Sequence, residues 1–161
     1  MNSRIRILVP VFGMLVVSGC CGSKFPLKAC GKAARFEHIA LNVDDPGKVA
    51  AWYRDNMGMK IVQAGEKFDS KRFVSDAGGN MMFELYHSRK APTPNWGAVH
   101  NHTLHIAFAV DDVQAMHDKL IAAGAKPDWE VETTGEGDVI TIVRDPWGIP
   151  IQLVKRAKPM L

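Results

Sequence analysis

Apolar and polar positions alternate over Arg35–Val43 (RFEHIALNV), and the pattern returns over Thr103–Val110 (TLHIAFAV). Residues two apart share a face of a strand. One face of the first run therefore carries Ile39, Leu41 and Val43, and the other carries Phe36, His38, Ala40 and Asn42. In the second run Leu104, Ile106 and Phe108 lie opposite Thr103, His105, Ala107 and Ala109. Each run leads directly into an acidic pair, Asp44-Asp45 or Asp111-Asp112, where an N-cap is expected.

The first pair, followed by Pro46, predicts a helix to about Met57, with Val49, Trp52, Tyr53 and Met57 as its apolar stripe and Gly58 as its stop. Residues 59–64, 72–75 and 81–87 read as strands, with a turn at Gly78-Gly79-Asn80. Ser88–Asn101, with Pro92, Pro94, Gly97 and no periodicity, reads as a connection. The order then repeats. Strand 103–110 leads to a helix over 111–123 with Val113, Met116 and Leu120 on its stripe and Gly124 as its stop. Strands follow over 129–134 and 139–144, then a turn at Asp145-Pro146-Trp147-Gly148 and a last strand over 149–155.

The chain is thus read as one βαβββ unit used twice. The spacing agrees within one residue: 67 positions separate His38 from His105, and 68 separate Glu84 from Gln152. Self-similarity of this kind means a duplicated supersecondary unit. In the last strand of each unit, Glu84 shares a face with Met82 and Tyr86, and Gln152 with Pro150 and Val154. All four polar residues point away from the strongly apolar face. That apolar face must pack on the unit's own helix, which leaves the other side of the sheet free to line a cavity.

Composition adds bounds. At 161 residues, 47% hydrophobic and 23% charged, the chain can build one domain with a real core. A formal charge of +3, with scattered Lys and Arg, gives no basic stripe interleaved with aromatics and hence no case for nucleic acid. The first 19 residues read as an export signal. Arg4 and Arg6 form a positive start, Ile7–Val17 is apolar but too short to span a membrane, and small residues precede Cys20. The run Val17-Ser18-Gly19-Cys20 resembles a bacterial lipobox, which implies lipidation of Cys20 and a tether to the cell-envelope membrane; the alternative is an ordinary secretory signal cleaved near Cys20 without lipid. Residues 20–34 read as a linker. Cys21 and Cys30 fall in it without a CxxC pattern and are assigned no chemistry.

Two His, one Glu and one Gln on equivalent strands form a set of nitrogen and oxygen donors. They suit a divalent ion such as Zn, Ni, Co, Mn or Fe. In a cavity, such an ion polarises a carbonyl and lowers the pKa of bound water. The segments FEHIALNVDD with AWYRDNMGM, NMMFELY, LHIAFAVDD with LIAAGA, and RDPWGIPIQLV together resemble the vicinal oxygen chelate superfamily, which includes glyoxalase I, drug-resistance proteins, an epimerase and extradiol dioxygenases. The resemblance spans about 35–156. It implies an α/β (α+β) fold of two βαβββ modules forming an open, cup-shaped mixed β-sheet, with metal ligands at His38, Glu84, His105 and Gln152.

It further implies a glyoxalase-type lyase or isomerase acting on a small oxygenated substrate by proton transfer. Both last-strand positions are usually glutamate in glyoxalase I, and Gln152 cannot take a proton, so Glu84 is the candidate base. His100, Asn101 and His102, next to His105, could line a pocket or belong to the connection and are read as linker; Trp52 and Trp147 are read as packing residues, and His87 and His117 as exposed. Alternatives of the same fold are a non-catalytic small-molecule-binding lipoprotein, or a dioxygenase-like or epimerase-like enzyme. The two modules can pair within one chain or across a homodimer.

Overall fold

The computed structural model describes residues 34, 36–67 and 71–160. The expected signal, the lipidation position Cys20, and Cys21 and Cys30 lie outside the described residues. The first module consists of β1 (His38–Asn42), α1 (Pro46–Met57), β2 (Lys60–Ala64), β3 (Arg72–Ser75) and β4 (Met82–Tyr86). A turn of 3-10 helix, Trp96–Ala98, lies in the connection. The second module consists of β5 (Ile106–Ala109), α2 (Val113–Ala122), β6 (Lys126–Thr133), β7 (Val139–Arg144) and β8 (Pro150–Lys155). Each module is one four-stranded mixed sheet, ordered β1-β4-β3-β2 and β5-β8-β7-β6. The first strand of each runs parallel to the last, and the other pairs are antiparallel.

The helices start where the acidic pairs place them. Asp45 Oδ1 accepts from Lys48 N at 3.0 Å, and Asp112 Oδ1 accepts from Ala115 N at 2.9 Å. Gly58 ends α1 in the left-handed conformation, at φ 67°. Several strand bounds differ from the sequence reading: β1 is His38–Asn42 within the expected 35–43, and β5 and β6 start elsewhere. β5 starts at Ile106 rather than at 103, because residues 101–103 form a turn closed by Thr103 N donating to His100 O at 2.8 Å. β6 starts at Lys126 rather than 129. Pro127 is tolerated there because β6 is the outer strand of its sheet.

The apolar faces of both modules close one core. Leu41, Val43, Val49, Tyr53, Phe83 and Leu85 pack in the same cluster as Val113, Leu120, Val143, Ile149, Ile151 and Leu153. Phe83 meets Phe108 edge-on at 6.0 Å across the joint. Tyr53 donates its hydroxyl hydrogen bond to Asp145 Oδ2 at 3.0 Å, joining α1 to the β7–β8 turn. Trp52 donates to Ala123 O at 2.9 Å and lies edge-on to Trp147 at 6.4 Å, as expected of packing residues.

The connection is fastened along this tryptophan side. Trp96 donates to Asn42 O at 3.0 Å. The Asn42 amide, buried despite lying on the polar face, donates to Pro92 O at 3.1 Å and accepts from Ser88 N at 3.0 Å. Arg144 Nη1 donates to the carbonyls of Trp96, Val99 and Gly148. On the quasi-equivalent other side, the described residues leave the space open. There the β3–β4 turn faces β5 and α2 across an open cleft of about 710 Å³, lined by Met57, Met59, Met81, Phe108 and Met116 among others.

Candidate functional site

Since the apolar faces meet in the core, the opposite faces of the sheets carry the candidate ligands. In the first module, β1 and β4 are adjacent and parallel, with Ala40 opposite Glu84, so His38 and Glu84 emerge on one face. His38 Nε2 lies 3.4 Å from Glu84 Oε2, and both side chains are half-buried. The other ring nitrogen, Nδ1, is held by the Glu37 carboxylate. Phe73, opposite Glu84 on β3, packs edge-on against the His38 ring at 5.8 Å. Lys71 Nζ lies 3.4 Å from Glu84 Oε1 and 5.2 Å from the centre of the Phe73 ring.

The second module repeats the arrangement with different chemistry. His105 stands just ahead of β5, and Gln152 stands on β8 opposite Ala107. Both line a small pocket of about 130 Å³, together with His102, Trp129, Ile140, Thr141 and Ile142. His105 Nδ1 lies 2.8 Å from Asn101 O. A carbonyl can only accept, so Nδ1 carries a proton, and in the neutral ring the lone pair is on Nε2. The Asn101 side chain is itself fixed: its Nδ2 donates to Asp128 Oδ2 at 2.9 Å, and Arg144 Nε donates to Asp128 Oδ1 at 3.0 Å. Burial pushes the Asp128 carboxyl up, but these two hydrogen bonds outweigh it and hold the group below the usual carboxylate range.

The single chain therefore brings the four expected residues together as two pairs. Among the described residues, no group of three or more His, Cys, Asp or Glu side chains is close enough to hold a metal ion. The donors nonetheless suit one. Each histidine has its Nδ1 engaged by a carboxylate or a backbone carbonyl, the arrangement that orients a metal-ligating imidazole. The larger cleft between the modules contains none of the four residues.

Over residues 35–153 the sequence matches the family described as the Glyoxalase/Bleomycin resistance protein/Dioxygenase superfamily. The chain belongs to this superfamily. It is similar to a probable lactoylglutathione lyase of Vibrio cholerae, at 30% identity over 131 residues covering 75% of this chain and 90% of the relative. It is also similar to the lactoylglutathione lyase of Haemophilus influenzae, at 29% identity over 126 residues covering 73% and 90%. Among solved structures, a glyoxalase family protein from Bacillus cereus shares the fold with a TM-score of 0.66 at 19% identity, covering 79% of this chain and 97% of that one. An antibiotic binding protein from Streptomyces does so with a TM-score of 0.60 at 18% identity, covering 79% and 99%.

Glyoxalase superfamily members commonly use a divalent metal. The two βαβββ modules expected from the repeat are those of this superfamily's fold. Three residues at the site escaped the sequence reading. Lys71 shares the period-two face of Phe73, which would have placed it beside Glu84. His102, read as linker, instead lines the pocket of His105, because the turn at 101–103 folds it back. Trp129 had no signal beyond its size. His87 is exposed as expected, whereas the His117 side chain is largely covered and pairs with Asp118 at 2.9 Å.

Proposed function

We propose that this chain is a metal-dependent lyase or isomerase of glyoxalase type, acting on a small oxygenated substrate. The observation that carries the reading is the pairing of two pre-oriented histidines with Glu84 and Gln152 on the solvent-facing sides of equivalent strands. His38, Glu84, His105 and Gln152 would hold the ion. β1 and β5 are outer strands of their sheets, where a sheet can be extended by another strand. In our reading the set is completed in a homodimer, where His38 and Glu84 of one copy face His105 and Gln152 of a second. Relatives named lactoylglutathione lyase support the reaction class.

Bound there, the ion would polarise the substrate oxygen and acidify the neighbouring C–H. Glu84 then removes that proton and returns it to the adjacent carbon, which isomerises a thiohemiacetal. Gln152 has no proton-accepting oxygen of this kind and serves as a neutral ligand. Lys71, beside Glu84, offers a cation to the oxyanion that develops during transfer.

Metal analysis of protein purified without chelator tests the reading. We expect stoichiometric divalent ion, natively or after reconstitution. Its absence after reconstitution would leave a non-catalytic binding protein of the same fold. Glu84→Gln should lower turnover by about 10²–10⁴-fold while appreciable metal remains bound. Unchanged turnover would place the base elsewhere. We further propose export and lipid anchoring at Cys20. Cys20→Ser should move the chain from the membrane fraction to the soluble one, and retention at the membrane would refute the anchor.

A further inference from the structure

The pocket beside His105 and Gln152 differs from its counterpart beside His38 and Glu84. On the first module the neighbour of the pair is a cation, Lys71. On the second it is a recess of about 130 Å³ with a mostly apolar lining. Apolar protein cavities of roughly 150 Å³ take up benzene. The recess is of that order of size, which suits one six-membered ring rather than two.

Its lining suits a ring as well as its volume does. Trp129 is 39% exposed, so its indole is not spent on the core. Its plane lies at 32° to the imidazole of His102, with centroids 5.8 Å apart, and His100 meets His102 edge-on at 5.2 Å. Ile140 and Ile142 add aliphatic surface. Thr141 contributes no free donor, since its hydroxyl donates to Trp129 O at 2.6 Å. The backbone is built around this residue: the pairing of β6 with β7 shifts register on both sides of Trp129, between Pro127 and Trp129 and again between Trp129 and Glu132. Register irregularities of this kind re-aim a side chain and gather next to functional sites.

We infer that the substrate carries one aromatic ring, seated against Trp129, with its reactive oxygens directed at His105 and Gln152. The recess opens directly onto those two side chains, so the ring and the reacting carbon are neighbours, as in an aryl-substituted 2-oxoaldehyde and its thiohemiacetal. The reacting part of this inference rests on the lyase reading, whereas the ring seat does not. Two experiments on the full-length protein separate them.

In the first, fluorobenzene is titrated without metal while the indole N–H signal of Trp129 is followed by NMR. We expect saturable shifts at Trp129. Affinity should fall about tenfold in Trp129→Ala and be largely restored in Trp129→Phe, the size expected for one aromatic contact. No binding, or equal binding to Trp129→Ala, overturns the ring seat. In the second, metal-loaded protein is given the thiohemiacetals of phenylglyoxal and methylglyoxal. We expect kcat/KM to favour the phenyl compound by about tenfold, and Trp129→Ala to bring the ratio close to one. Turnover of both without preference overturns the inference and leaves the lyase reading intact. Fluorobenzene binding at Trp129 with no turnover of either supports the ring seat and overturns the lyase reading.

Discussion

Asp145 shows how one side chain reports on the joint between the modules. Burial pushes its carboxyl up to about 6, against hydrogen bonds from Ile149 N, Tyr53 and Trp147 N that pull the other way. Burial likewise raises the Tyr53 hydroxyl well above its usual value, which keeps it a neutral donor to Asp145. The folded value for Asp145 lies above the ordinary 3.8, so folding favours the protonated form. That contribution is complete below about pH 4 and is lost as pH rises through about 6. The difference is about 3 kcal/mol. Asp145→Asn should therefore flatten the dependence of Tm on pH between about 4 and 7 in thermal melts. A variant curve parallel to the wild type would show that another group governs it. At this scale the sequence already put His38 on one face with Glu84 and His105 on one face with Gln152, because side-chain facing in a strand follows from period alone. It did not carry Lys71, His102 or Trp129 as site residues, because their proximity depends on neighbouring strands, a turn and register shifts.

Elements were legible where a cap or a stop was local. Both helix starts, the stop at Gly58, and strands β3 and β7 stand where the pattern places them. Strand ends set by pairing were not: β5 loses its first residues to the turn at 101–103, and β6 gains Lys126 and Pro127 through contact with β7. The turn between β7 and β8 shows what such pairing demands. Gly148 has φ +93°, and a Cβ there would fall 2.5 Å from Gly97 N and 2.8 Å from its Cα. Neither atom belongs to a side chain that could swing away. Gly148→Ala should cost about 2–3 kcal/mol in chemical denaturation, combining backbone strain with displacement of the connection. A loss below about 0.5 kcal/mol would mean that the connection yields freely.

For the whole molecule, the duplicated plan could be read from the repeat, but the arrangement of the two halves could not. Period and spacing say which face is polar. They do not say whether the polar faces of two modules meet in one chain or across two. The packing of Tyr53, Phe83 and Phe108 in one core turns the two polar faces away from each other's module. A centre shared between copies gives a direct expectation. Equal mixtures of separately inactive His38→Ala and His105→Ala protein, unfolded and refolded together, should regain about a quarter of wild-type activity, because half the dimers hold one intact site of two. Complete inactivity of the mixture would place all four ligands within one chain.

The open cleft has a mechanical consequence. Where α1 presents Trp52, α2 presents Lys119 at the quasi-equivalent place, and Gly78 stands where the other turn has Trp147. Among the described residues, one seam between the modules is stitched by tryptophans and the connection, and the other is an open cleft lined by four methionines and Phe108 among others. Any rocking of one module on the other must pivot about the stitched seam, with its widest swing at the methionine side. Because β5 lines that side, the strand that leads out from His105 would swing furthest in such a motion, and β1 with His38 would lie near the pivot.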